Sequence, residues 1–107
     1  MASKPKEIIV SPLAAKDLDE LYHYLQSEFE QIAVEKFNKK WISFLAVIAT
    51  HPRLFPILNK QKNLRKYAIH PKTLIVYKPS VRAIEIVTVF NNRQNPKNLK
   101  LLISRKK

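Results

Sequence analysis

At His51-Pro52 the hydrophobic period of this chain changes, and that switch constrains the fold more than any other feature. Upstream, the apolar residues recur at helical spacing. Leu18, Leu21, Tyr22, Leu25 and Phe29 fall at i, i+3, i+4, i+7 and i+11. Phe37, Trp41, Phe44, Leu45 and Ile48 fall at i, i+4, i+7, i+8 and i+11, and each set forms one stripe on a helix. Downstream, Leu64–Ile69, Thr73–Lys78 and Ala83–Phe90 alternate with period two, as half-buried strands do. Proline at position 52 disfavours helix in the residue before it, so the second helix ends there.

The punctuation fills in the rest. Lys6–Val10 is a short β-branched run that stops at Ser11-Pro12, where a hydroxyl able to cap a free N–H precedes a proline suited to a first helical turn. Helix 1 is predicted over Pro12–Phe29 and helix 2 over Ile32–Thr50, with a break near Ser27–Gln31. Asp17, Asp19 and Glu20 are predicted to face solvent by phase. Arg53–Asn63, with Pro56 inside it, reads as a loop or irregular edge. His70-Pro71-Lys72 and Pro79–Arg82 are the turns between strands. The chain contains no glycine, so its turns must use asparagine, proline and serine, and tight primed hairpins are disfavoured. The expected architecture is α+β: an N-terminal strand, a helical hairpin, then a three-stranded antiparallel meander, with the helices on one face of a small sheet and the other face open. One domain over residues 1–107 is expected, with a basic tail at 97–107.

The charge is uneven. Residues 1–35 hold three lysines and seven of the eight acids, whereas residues 36–107 hold 17 Lys and Arg against Glu85 alone, giving +12 in all. Such a field attracts phosphate backbones. The absence of cysteine excludes a disulfide framework, a thiolate zinc site and a cysteine nucleophile. Without glycine there is no phosphate-cradling loop. His23, His51 and His70 lie in three unrelated contexts, so neither a metal site nor any cofactor is expected. The longest apolar run, Phe44–Ala49, is far below the roughly 20 residues that cross a bilayer. With a polar N-terminus lacking an apolar leader run, a soluble cytoplasmic protein with no membrane partner is expected.

The remaining candidates are cations and aromatics on or beside the strands. Arginines on an open sheet face can clamp phosphates in bidentate fashion, and Tyr67 and Tyr77 can stack on bases. The candidate target-binding set is Lys62, Arg65, Lys66, Lys72, Arg82, Arg93 and Gln94. A solvated cation or a core tyrosine is the plainer alternative for each.

The element order, the opening Ile8-Ile9-Val10-Ser11-Pro12-Leu13-Ala14, the strands Leu64-Arg65-Lys66-Tyr67, Leu74-Ile75-Val76-Tyr77 and Ile84-Glu85-Ile86-Val87, and the following Asn92-Arg93-Gln94-Asn95-Pro96 resemble the RelE/ParE superfamily across residues 6 to about 100. Those proteins are toxins of type II toxin–antitoxin modules. The resemblance implies a bacterial toxin neutralised by a cognate antitoxin, in a toxin–antitoxin hetero-oligomer. It leaves two activities open: ribosome-dependent mRNA cleavage as a metal-independent endoribonuclease, or poisoning of DNA gyrase. In the cleaving branch Arg65 matches an arginine on the strand after the hairpin and Arg93 a basic residue after the last strand. No Tyr or His follows Phe90, a departure from that branch. Tyr77 then joins Arg65 and Arg93 as the catalytic candidates, with Glu85 and His70 as weaker proton-transfer groups. A non-catalytic nucleic-acid-binding module, or an inactive toxin homologue, is the alternative.

Overall fold

The computed structural model describes residues 5–70 and 72–91. The elements run β1 (Glu7–Val10), α1 (Pro12–Glu28), α2 (Gln31–Thr50), β2 (Ile57–Asn59), β3 (Leu64–His70), β4 (Thr73–Pro79) and β5 (Ala83–Asn91). The strands form one mixed sheet in the order β1-β5-β4-β3-β2. β2 through β5 pair antiparallel, and β1 lies parallel to β5 at the far edge. The expected α+β architecture is present, with one added strand. β2 sits inside the segment read as a loop or irregular edge; it is the edge strand of the sheet, too short and too irregular in register to show an alternating pattern.

Ser11 starts α1 as its sequence suggests. Its Oγ accepts from the Ala14 N–H at 3.0 Å and donates to the Val87 carbonyl at 2.7 Å, so the cap also anchors the helix to β5. Phe29 and Glu30, both extended, separate the helices. In the absence of glycine the one positive φ among the described residues is at Asn63 (57°), in the β2–β3 turn. Its Nδ2 donates to the Pro79 carbonyl at 2.6 Å.

The helices cover one sheet face. Phe44 is the centre of that contact, stacked on Tyr67 at 4.9 Å and edge-on to Tyr77 at 5.7 Å. Trp41, Ile48, Ile75, Ile84, Ile86 and Val89 complete the layer, each large side chain contributing roughly 1.5–3 kcal/mol by burial. One register shift matters: Val76 pairs with Thr88 but Tyr77 with Ile86, leaving Val87 as an extra residue. The bulge reverses the alternation, so Val89, and not Phe90, joins Ile84 and Ile86 on the helix side. Strict period two places Phe90 there instead.

Two expectations about α1 need correction. Its fully buried residues are Ala14, Asp17 and Leu21, and Leu18, Tyr22 and Leu25 of the predicted stripe pack partly buried against the core. Phe29 ends the helix half exposed. Asp17 does not face solvent: its Oδ2 accepts from the Thr88 hydroxyl and from the Val89 N–H at 3.0 Å. β1 pairs only with Ala83–Ile86, so the Val89 N–H lies on the β5 edge beyond it, and the carboxylate fills the role a strand carbonyl would take.

Candidate functional site

Arg65 and Tyr77 are direct cross-strand partners. They lie on the face of the sheet that the helices cover, which corrects the picture of an arginine-lined free face; nor is the opposite face open as expected, since Leu64 and Val76 on it are buried. The reason is the register: Arg65, Tyr67 and Ile69 share a side, and Tyr67 and Ile69 belong to the layer against α2. Arg65 lies at the end of that side, against the α2–β2 loop. Its Nη1 donates to the Arg53 carbonyl at 3.1 Å and the Phe55 carbonyl at 2.7 Å, while its Nε is buried with no hydrogen-bond partner. Tyr77 is fully buried and donates its hydroxyl to the Pro52 carbonyl at 2.9 Å. Burial raises the Tyr77 phenol above the ordinary 10.0, an effect partly offset by the Phe55 backbone and the Arg65 charge. The two side chains thus hold three carbonyls of one loop.

The other predicted cations do not form one patch. Lys62 follows β2, and its backbone N–H is bonded to the Asn59 side chain. Arg82 is exposed in the β4–β5 turn, and Lys72 is exposed at the opposite end of β4, about 20 Å away along a strand of that length. Lys66 is half-buried and pairs with Val76 on the face away from the helices, where Val76 itself is fully buried. Glu85 is exposed opposite Lys78, and His70 is exposed at the end of β3. Arg93, Gln94 and the 97–107 tail lie outside the described residues. Among the described residues no group of three His, Asp or Glu side chains is placed to hold a metal, and no helix is long and apolar enough to cross a membrane.

A concavity lies elsewhere. A groove of about 650 Å3 opens between the α1–α2 hairpin and the β3–β4 end of the sheet. Leu21, Leu25, Phe29, Phe37 and Ile69 line it, and Lys36, Lys39, Lys40 and Lys72 surround them. Its far wall reaches Thr73 and Asn91. A second depression, of about 250 Å3, lies on the other side of Lys39 and Lys40, against Phe55 and Tyr67. Lys36, Lys39 and Lys40 were absent from the predicted binding set. Their signal was available, since i, i+3 and i+4 put them on one helical surface beside the Phe37–Trp41 stripe.

The five-stranded sheet under a helical hairpin is shared with known toxins. The chromosomal ParDE toxin–antitoxin system of P. aeruginosa superposes with a TM-score of 0.66 at 12% identity, over 83% of this chain and 98% of that one. The YoeB–YefM complex from Staphylococcus aureus gives 0.54 at 22% identity (79% and 94%), and the E. coli DinJ–YafQ toxin–antitoxin complex 0.54 at 14% (81% and 92%). No curated protein matches by sequence. The structural likenesses, all below 25% identity, show a shared fold. Residues 8–96 match the family described as the ParE toxin of the type II toxin–antitoxin system parDE, and the chain belongs to that family.

Proposed function

We propose that this protein arrests bacterial growth by acting on DNA gyrase rather than by cutting mRNA, and that a cognate antitoxin silences it. The observation that carries the choice of target is the engagement of Arg65 and Tyr77. Cleavage at a 2′-hydroxyl requires groups that take a proton, meet the developing phosphate charge and return a proton. Tyr77 is buried with its hydroxyl bonded to Pro52, and the Arg65 Nη1 is bonded to two loop carbonyls. Both serve the fold, and the family match to ParE toxins agrees with that reading. Ribosome-dependent cleavage is the second reading, favoured by the excess of cations in residues 36–107.

For the antitoxin, the groove between the α1–α2 hairpin and the β3–β4 end of the sheet supplies an apolar surface lined also by three lysines of α2 and by Lys72, a fit for an amphipathic segment carrying carboxylates along its flanks. The test is induction of the protein alone and together with the adjacent open reading frame in a bacterial host. Growth arrest relieved by the neighbour is expected, with gyrase-linked DNA breaks and intact mRNA. Absence of arrest refutes the toxin reading; arrest with cleaved mRNA and unbroken DNA refutes the choice of target.

A further inference from the structure

We infer that the α2–β3 surface binds one nucleotide unit of single-stranded nucleic acid, with Lys39, Lys40 and Ser43 meeting the phosphate and Phe55 and Tyr67 receiving the base. This goes beyond the toxin reading and does not depend on it. Phe44, Phe55 and Tyr67 form a three-ring cluster beside the depression of about 250 Å3. Tyr67 lies 4.5 Å from Phe55 and 4.9 Å from Phe44, the latter nearly parallel at 11°. Phe44 is buried, so the ring cluster is fixed from beneath, whereas Phe55 and Tyr67 keep part of their surface in solvent. Rings held rigid by a core lose little entropy on stacking, and every base offers a π-face to them.

The polar groups around this cluster are uncommitted. Lys39, Lys40 and Ser43 line the same depression from α2, with Lys39 and Ser43 one helical turn apart. None of these three side chains, nor the Tyr67 hydroxyl, has a hydrogen-bond or ion-pair partner among the described residues. Two ammonium groups and a hydroxyl next to an aromatic cluster match the anionic and planar halves of a nucleotide. An acidic protein segment satisfies the lysines but does not need a flat aromatic partner, and this difference separates the two classes of ligand.

The assay is fluorescence anisotropy of a labelled ten-residue oligonucleotide with the full chain made by cell-free synthesis, repeated with an abasic oligonucleotide of equal length. Wild type is expected to prefer the base-carrying strand about tenfold, a preference that Tyr67→Leu removes. Because Tyr67→Leu also disturbs packing, K39E/K40E supplies a second test on exposed positions. It is expected to weaken binding at least tenfold and to lower the slope of log affinity against log salt by about one. K60E/K78E makes the same change in charge at exposed sites off the platform and is expected to leave both quantities within about twofold of wild type. Equal binding of the abasic strand, equal loss in the two charge-reversal variants, or equally strong competition by a poly-glutamate peptide each overturns the inference.

Discussion

Replacing Asp17 with alanine unpairs two donors at once. The Thr88 hydroxyl and the Val89 N–H both donate to Oδ2 in a buried site, and Asp17 itself is only 6% exposed. A hydrogen bond to a charged acceptor contributes about 1.5–3 kcal/mol, and a buried donor left unmet costs about 1–3 kcal/mol. The threonine hydroxyl can rotate toward another acceptor, while the Val89 N–H is fixed by the strand. Loss of the carboxylate also relieves its own desolvation, which offsets part of the damage. The net cost for D17A is therefore about 2–4 kcal/mol. At 4–8 °C per kcal/mol, that lowers Tm by about 10 °C or more. Trp41, the one tryptophan, sits in the core and reports urea unfolding by fluorescence. Asp17→Asn can place its amide oxygen where Oδ2 stands and accept from both donors, but without the negative charge, so it falls between wild type and alanine. D17A/T88V is expected to be less than additive, because the two residues share one bond. A D17A variant within about 0.5 kcal/mol of wild type would behave as a surface substitution and refute the account.

Two further outcomes follow from the same kind of bond. Ser11→Ala removes both the α1 cap and the donor to the Val87 carbonyl, with an expected loss of about 1.5–3 kcal/mol in denaturant unfolding. Ser11→Asp, which keeps a cap but cannot donate to that carbonyl, should not restore it. Tyr77→Phe leaves the Pro52 carbonyl without its phenol and costs about 1–2 kcal/mol near neutral pH. The folded state raises the Tyr77 phenol above 10.0, so above that pH the unfolded chain releases the proton first and wild-type stability falls. The gap between wild type and Tyr77→Phe should accordingly narrow as pH climbs past 10, read from paired unfolding curves. A gap that holds constant or widens there contradicts burial of the phenol.

The helices and the three long strands were legible because their signals are local. The Phe37–Ile48 stripe, the Ser11-Pro12 start and the Pro52 stop each lie within one element, and the structure places α2 and the beginning of α1 where they indicate. The misses are all matters of partnership. Asp17 looked solvated because its neighbours in phase are mixed: Ala14 and Leu21 lie on one side of it, and Asp19 and Glu20 follow close behind. Only the end of β1 at Val10, which leaves the Val89 N–H open, creates a need for a carboxylate there. The extra residue at Val87 is equally invisible, since a bulge belongs to a pair of strands and not to either one.

Composition and period by themselves determined a cationic α+β domain with a helical hairpin ahead of an antiparallel meander. They could do so because periodicity and charge are sums over nearby residues, insensitive to where distant ones end up. The face on which Arg65 and Tyr77 lie, and the carbonyls that engage them, were decided only by tertiary structure. Convergence of Lys39 and Lys40 with Phe55 and Tyr67 was decided in the same way. Those relations join residues 10 to 28 positions apart, through a sheet register and a helix rotation that no local pattern encodes.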